Sequence, residues 1–99
     1  MTIKIHSIHF DADVKLENFI QAKVKKLNQV YDEILNAEVF LRLVKSQTAD
    51  NKLVEIKVDI PGSDLFAKKQ AKTFEESVDL AIDALRRQLQ KYKEKQRGI

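Results

Sequence analysis

Lys52-Leu53-Val54-Glu55-Ile56-Lys57-Val58-Asp59-Ile60-Pro61-Gly62 is the stretch on which the fold of this chain turns. From Val54 onward the alternation is strict, with Val54, Ile56, Val58 and Ile60 on one side and Glu55, Lys57 and Asp59 on the other. A period of two belongs to a strand with one face buried and one face wet. Pro61-Gly62 suits a type II turn, in which proline fixes φ at the first corner and glycine takes the positive φ of the second. The segment is therefore a strand entering a hairpin, and Leu65–Lys72 is its returning partner. Upstream, Thr48-Ala49-Asp50-Asn51 carries turn chemistry. Residues 37–46 read as another strand, with Val39, Leu41 and Leu43 on one face.

Further from that centre the period changes. Leu16, Phe19, Ile20, Val24, Leu27 and Tyr31 recur at helical spacing, which predicts an amphipathic helix of about four turns. Asp13 is its expected N-cap, and Asn36 is expected in the turn that follows. Residues 2–10 alternate, but Ile3 and Ile5 share one parity while Ile8 and Phe10 share the other. This predicts a first strand with a bulge near Ser7. Downstream, Thr73-Phe74-Glu75-Glu76 is a capping box. Phe74, Val78, Ala81, Ile82, Leu85, Leu89 and Tyr92 then line one stripe, so a second helix should run from Phe74 to about Lys95.

The order is β-α-β-β-β-α, an α+β fold. Two apolar helix stripes and one buried sheet face are satisfied together if both helices pack side by side on a four-stranded sheet. The first β-α-β connection should be right-handed. No linker, repeat or low-complexity segment divides the 99 residues, which read as a single domain spanning 1–99. That length supports one core without staples.

Several functions are poorly served by this sequence. Cysteine is absent, which removes disulfides, thiolate metal sites and cysteine nucleophiles. No run approaches the roughly 18 apolar residues of a membrane span, and Met1–His6 has no continuous apolar segment of a secretory signal. The expected location is the cytoplasm, with no membrane partner. His6 and His9 stand three apart on a strand, hence on opposite faces, and cannot share a metal. Asp11 and Asp13 are better read as loop and cap than as a catalytic pair. There is no glycine-rich phosphate loop, nucleophile elbow or metal motif. The expectation is a non-enzymatic protein with no cofactor, no metal and no small-molecule substrate.

The charge distribution points elsewhere. Residues 1–60 hold nine basic and nine acidic side chains, whereas residues 61–99 hold nine and six. Between Arg86 and Arg97 there are six basic residues and one acid, Glu94. Such a local surplus is the footprint of a polyanion-binding surface. A solvated helix end is the bland reading. Macrodipole complementarity explains Lys93, Lys95 and Arg97, but it fades within a turn and leaves Arg86 and Arg87 unexplained. Lys23 falls within the apolar arc of the first helix and must snorkel its ammonium outward, beside Lys25 and Lys26. Lys68, Lys69 and Lys72 are expected to add a third basic group near the start of the second helix.

These segments resemble a known family. Phe19-Ile20-Gln21-Ala22-Lys23-Val24-Lys25-Lys26-Leu27 is similar to an apolar-x-A-K-apolar-x-K-L pattern. Val78-Asp79-Leu80-Ala81-Ile82-Asp83-Ala84-Leu85-Arg86-Arg87-Gln88-Leu89-Gln90-Lys91-Tyr92-Lys93 is similar to an I-D-x-x-x-D-K-L-x-R-Q-L-x-K-x-K signature. Ile60-Pro61-Gly62 ahead of the last strand is also typical. Together, in this order, they resemble the short ribosome hibernation promoting factors, also called ribosome-associated translation inhibitors or sigma-54 modulation proteins. The resemblance implies a β-α-β-β-β-α fold like that of double-stranded RNA-binding domains. It also implies binding to the small ribosomal subunit and its rRNA over the tRNA and mRNA sites, which inhibits translation in stationary phase.

The RNA-contact role carries over to Lys23, Lys26, Arg87, Gln88, Lys91 and Lys93, with Arg86 beside them. Lys25, Lys68, Lys69, Lys72 and Lys95 are additional candidates. Thr73-Phe74-Glu75-Glu76-Ser77 departs from the family's usual D-M/L-Y-A-A, with Glu75 in the place of the tyrosine. Neither the C-terminal domain with which long members pair two ribosomes nor the extended tail of the purely inhibitory relatives is expected here. A monomer off the ribosome is expected, because the sheet can satisfy both helix stripes. Two other functions stay open: a protein-binding regulator of transcription without rRNA contact, and a generic double-stranded RNA binder.

Overall fold

The computed structural model describes residues 1–96. The elements are β1 (Thr2–Ile8), α1 (Val14–Lys25) with a 3-10 turn at Lys26–Gln29, β2 (Asn36–Leu43), β3 (Lys52–Ile60), β4 (Ser63–Ala71) and α2 (Phe74–Gln96). The α+β class and the element order are those read from the sequence. One four-stranded sheet runs in the order β1-β2-β3-β4, with β1 parallel to β2 and the other pairs antiparallel.

The hairpin that anchors the reading forms as the alternation dictates. Val54, Ile56, Val58 and Ile60 are buried, and Gly62 sits at φ +80 in the two-residue turn between Ile60 and its pair Ser63. That φ is open to glycine at no steric cost. Ile3, Ile5, Ala37, Val39, Leu41, Leu65 and Ala67 complete the inner face of the sheet. Against it lie Ile20, Val24 and Leu27 of the first helical segment and Val78, Ala81, Ile82, Leu85 and Leu89 of α2. Each fully buried valine, leucine or isoleucine among them contributes about 1.5–3 kcal/mol relative to exposure.

Both helix starts are capped. The Asp13 carboxylate accepts from Leu16 N at 2.8 Å, and the Thr73 hydroxyl accepts from Glu76 N at 3.1 Å. The Glu76 side chain makes no return bond among the described contacts. Instead Ser77 is drawn inward: fully buried, its hydroxyl donates to Lys52 O at 2.6 Å and lies 3.1 Å from Thr73 O.

Four expectations need correction. Asn36 is not in a turn; it opens β2, paired with Thr2 and Asp59. The first helix does not keep α geometry to Tyr31, but tightens into the 3-10 turn, which still delivers Leu27 and Tyr31 to the core. No bulge interrupts β1, whose register runs unbroken from Thr2 to Ile8. The change of parity occurs just beyond the strand, where His9 adopts φ 65 and swings Phe10 back over the core onto Phe74, ring centroids 5.2 Å apart. Leu43 shares the parity of Val39 and Leu41 but remains 53% exposed, at the end of its strand.

The topology fixes the direction of the helices. β4 runs parallel to β2, and each helix returns antiparallel to the strand before it, so α1 and α2 point the same way. Their contacts agree: Lys23, near the end of α1, meets Asp79 in the second turn of α2, and Tyr31, beyond the 3-10 turn, meets Gln96 at the end of α2.

Candidate nucleic-acid interface

With α1 and α2 parallel, α1 ends beside the front of α2, near Asp79, and α2 alone runs on to a pole of the molecule at its C-terminal end, beside Tyr31. Carbonyl dipoles make such an end electronegative, so any anion held there depends on basic side chains. The sequence supplies them, and at about 100° per residue α2 spreads them around its exposed arc. Arg86 and Lys93 fall on the flank toward α1, Arg87 on the crown, and Lys91 and Lys95 on the flank toward β4. All five are exposed. Lys93 lines a shallow depression with Asn28, Tyr31 and Glu33, whereas Lys91 and Lys95 line another with Leu65. The helix end is thus a basic rim around the pole and not a single flat patch.

The candidates differ in what already holds them. Lys23 is half-buried, its ammonium 3.0 Å from Asp79 Oδ1 and 5.3 Å from the centre of the Phe19 ring. It has a partner in its own chain, which the one-helix reading of a snorkelling lysine did not supply. Arg86 lies 3.7 Å from Asp83. Arg87 donates from Nε to Asp83 O at 3.3 Å, folding back on its own helix. Gln88 donates to Phe66 O at 3.0 Å and so ties α2 to the edge strand β4. Among the described residues, the ion pairs include none of Lys25, Lys26, Arg87, Lys91, Lys93 and Lys95.

The third basic group expected near the start of α2 does not assemble. Lys68 and Lys69 are successive residues of β4, paired with Glu55 and Val54, and point to opposite sheet faces. Lys68 lies opposite Glu55 on the helix-free face, Lys69 lies on the helix side, and Lys72 follows the strand. The helix-free face is electrically balanced. Arg42 pairs with Glu55 at 2.9 Å, Lys57 reaches Asp59 and Asp64, and His6 meets Glu38 at 3.2 Å while stacking on Phe40. His9 lies outside β1, exposed in the following turn. Among the described residues no cluster of three or more His, Asp or Glu side chains is arranged to hold a metal, and no helix is long and apolar enough to cross a membrane.

The sequence and the fold both have known counterparts. The family described as Sigma 54 modulation protein / S30EA ribosomal protein matches residues 3–97. The chain belongs to this family. Among curated relatives, the ribosome hibernation promoting factor of Pseudomonas putida is 28% identical over 99 residues, covering all of this chain and 93% of the relative. That of Escherichia coli K12 is 30% identical over 96 residues, covering 96% of each. Among solved structures, a ribosomal subunit interface protein from Coxiella burnetii superposes with a TM-score of 0.83 at 27% identity, over 94% of this chain and 98% of the other. The N-terminal domain of Thermus thermophilus Protein Y shares the fold, with a TM-score of 0.78 at 24% identity, over 93% of this chain and 99% of the other. The family resemblance read from Phe19–Leu27 and Val78–Lys93 is borne out. What those motifs missed lies between elements: Asp79 beneath Lys23, the Gln88 tie to β4, and the groove beside Tyr92.

Proposed function

We propose that this chain is a ribosome hibernation factor: a non-enzymatic single domain that binds the small ribosomal subunit through rRNA phosphates and excludes tRNA and mRNA by occupancy. The observation that carries the reading is the basic pole of α2, where Arg87, Lys91, Lys93 and Lys95 have no acidic partner among the described residues. Family membership over residues 3–97, and relatives named for ribosome hibernation, support the same conclusion. The relatives' names do not favour a transcription regulator that leaves rRNA untouched.

The chemistry is electrostatic positioning. Lysine and arginine neutralise phosphates and release condensed counterions, so affinity falls steeply with salt. Lys26, exposed on the first helical segment, and Arg86, on the flank of α2 toward it, extend the basic rim across the groove between the helices. The protein acts in the cytoplasm and is a monomer when free. Sucrose-gradient co-sedimentation tests the reading. The protein should travel with isolated small subunits at low salt, leave them as salt rises, and ignore a long RNA duplex of unrelated sequence. Absence from small subunits at low salt overturns the proposal, and equal affinity for any duplex replaces it with generic double-stranded binding.

A further inference from the structure

The ribosome-binding reading concerns phosphates, which any RNA offers. A second recognition element lies beside them. Between β4 and the C-terminal half of α2 is a groove of about 220 Å³ lined by Leu65, Gln88, Lys91, Tyr92 and Lys95. Leu65 and Tyr92 give it an apolar floor, and the two lysines, one helical turn apart, rise at its rim. Their Cβ atoms are about 5–6 Å apart at that spacing, a separation suited to neighbouring phosphates of one strand.

The floor is built to keep its shape. The Tyr92 hydroxyl donates to Pro61 O at 3.2 Å and accepts from Gln96 Nε2 at 3.3 Å. The Tyr31 ring meets the Tyr92 ring edge-on, centroids 5.9 Å apart and planes at 80°. Tyr92 is therefore held at its tip and against a neighbour. Gln88 is fixed through its amide nitrogen on Phe66 O, and among the described residues nothing donates to its amide oxygen.

We propose that this groove is a nucleotide subsite: one unstacked base of single-stranded RNA lies on Tyr92, and its flanking phosphates meet Lys91 and Lys95. The inference rests on the RNA-binding reading above and sharpens it. Every base has a π-face, so a fixed aromatic floor between cations suits single-stranded RNA. A preformed floor also avoids the cost of ordering a side chain on binding. An A-form duplex keeps its bases stacked inside and cannot offer one, so the subsite discriminates strand state where the basic rim alone does not. An acidic peptide would match the lysines but would leave the flat ring and the free amide oxygen without a designated partner.

The molecule carries its own probe. It has two tyrosines and no tryptophan, so Tyr31→Phe leaves Tyr92 as the only tyrosine emitter. That protein is titrated at low salt with a fluorescently silent seven-nucleotide oligouridylate and, separately, with a 16-base-pair RNA duplex. Tyr92 emission should be quenched by the single strand and little affected by the duplex. In an otherwise unchanged chain, Tyr92→Leu should weaken oligouridylate binding by about five- to a hundredfold in anisotropy, the range expected for one lost base stack. Tyr92→Phe should keep most of the affinity and separates ring stacking from the Pro61 hydrogen bond. Lys91→Gln with Lys95→Gln should move the quenching curve to higher concentration.

Saturation by anisotropy without quenching overturns the subsite, as does Tyr92→Leu with full affinity, or quenching by a glutamate-rich peptide as strong as by RNA. If small-subunit co-sedimentation persists while Tyr92 stays silent, the subsite alone fails. If oligouridylate quenches Tyr92 while the protein ignores small subunits, the ribosomal reading fails and the nucleotide site stands.

Discussion

The two halves of α2 share one helix and one apolar stripe, yet their polar residues are used in opposite ways. In the front half three polar groups are tied inward. Thr73 caps the helix, Ser77 is bonded to β3 through Lys52 O, and Asp79 holds Lys23. In the rear half Lys91, Lys93 and Lys95 are exposed without an acidic partner among the described residues, and Arg87, folded back on Asp83 O, also lacks one. The front secures the helix to the domain, and the rear leaves charge available to something else. A helix needing only solubility would gain from pairing its lysines with glutamates one turn away, by a few tenths of a kcal/mol each. Here only Glu94 stands among the rear cations.

If that division is right, substitutions in the two halves should change different measurements. The largest effect belongs to the rear. Replacing Arg87, Lys91 and Lys93 together by glutamine removes charge while keeping helix propensity nearly constant. Each phosphate contact contributes about −0.7 to −0.9 to the slope of log K against log salt, so the triple variant's slope for small subunits should become shallower by roughly two units. Its loss of affinity should be greatest at low salt and its melting temperature nearly unchanged. A wild-type slope would return the rear half to plain solvation.

Next comes Ser77→Ala in the front half. The hydroxyl is fully buried and donates to Lys52 O, so its loss should cost about 1 kcal/mol in chemical denaturation. Affinity for small subunits should not change. A binding defect without a stability defect would erase the distinction between the halves.

Asp79→Asn tests the border between them. Asp79 is about half exposed, so the ion pair with Lys23 is screened and should be worth less than about 1 kcal/mol of stability. Freeing Lys23 and removing a negative charge should raise affinity for small subunits at low salt by a few-fold. Lys23→Ala should lower stability by a similar small amount and also weaken binding. Should Asp79→Asn bind no better than wild type, Lys23 is a strut between helices and not a phosphate ligand.

The smallest effect is confined to alkaline pH. Burial, followed by the Glu33 charge and hydrogen bond and the nearby Tyr92, raises the Tyr31 phenol above its ordinary value of 10.0. A raised folded-state pKa favours the protonated phenol. Its stabilising contribution is complete below pH 10 and is lost as pH rises from there through the folded value. Thermal melts of the wild type should therefore decline above about pH 10, and Tyr31→Phe should lose that component of the decline. An identical alkaline profile for both would assign the loss to other groups.

Much of this was legible in the sequence because it is local. Period two from Val54 to Ile60, the demand for positive φ at Gly62, the Asp13 and Thr73 caps and the α2 stripe each need only neighbouring residues. The differences lie in tertiary context, except at the β4 lysines. A bulge near Ser7 and a left-handed His9 place Phe10 similarly, and only pairing with β2 distinguishes them. Lys68 and Lys69 adjoin in sequence, and strand alternation alone separates them onto opposite faces. The place of Lys23 in the apolar arc sets it apart in the sequence, but Asp79 is 56 positions away and becomes its partner only once the helices are parallel. The apolar stripe accounts for the Tyr92 ring, which packs against the core. Its hydroxyl on Pro61 O and its exposure to the β4 groove are properties of the assembled domain.

The charge division along α2 also has a consequence in time. Its 23 residues span about 34 Å at 1.5 Å per residue, most of the 45 Å long axis of the molecule. Acids at one end and cations at the other make the protein an oriented electric lever. In the field of a polyanion it experiences a torque as well as an attraction, and it turns rear pole first before any side chain touches. Such steering acts on the encounter rate, while short-range contacts set the residence time. Raising the salt should therefore slow arrival by a larger factor than it hastens departure.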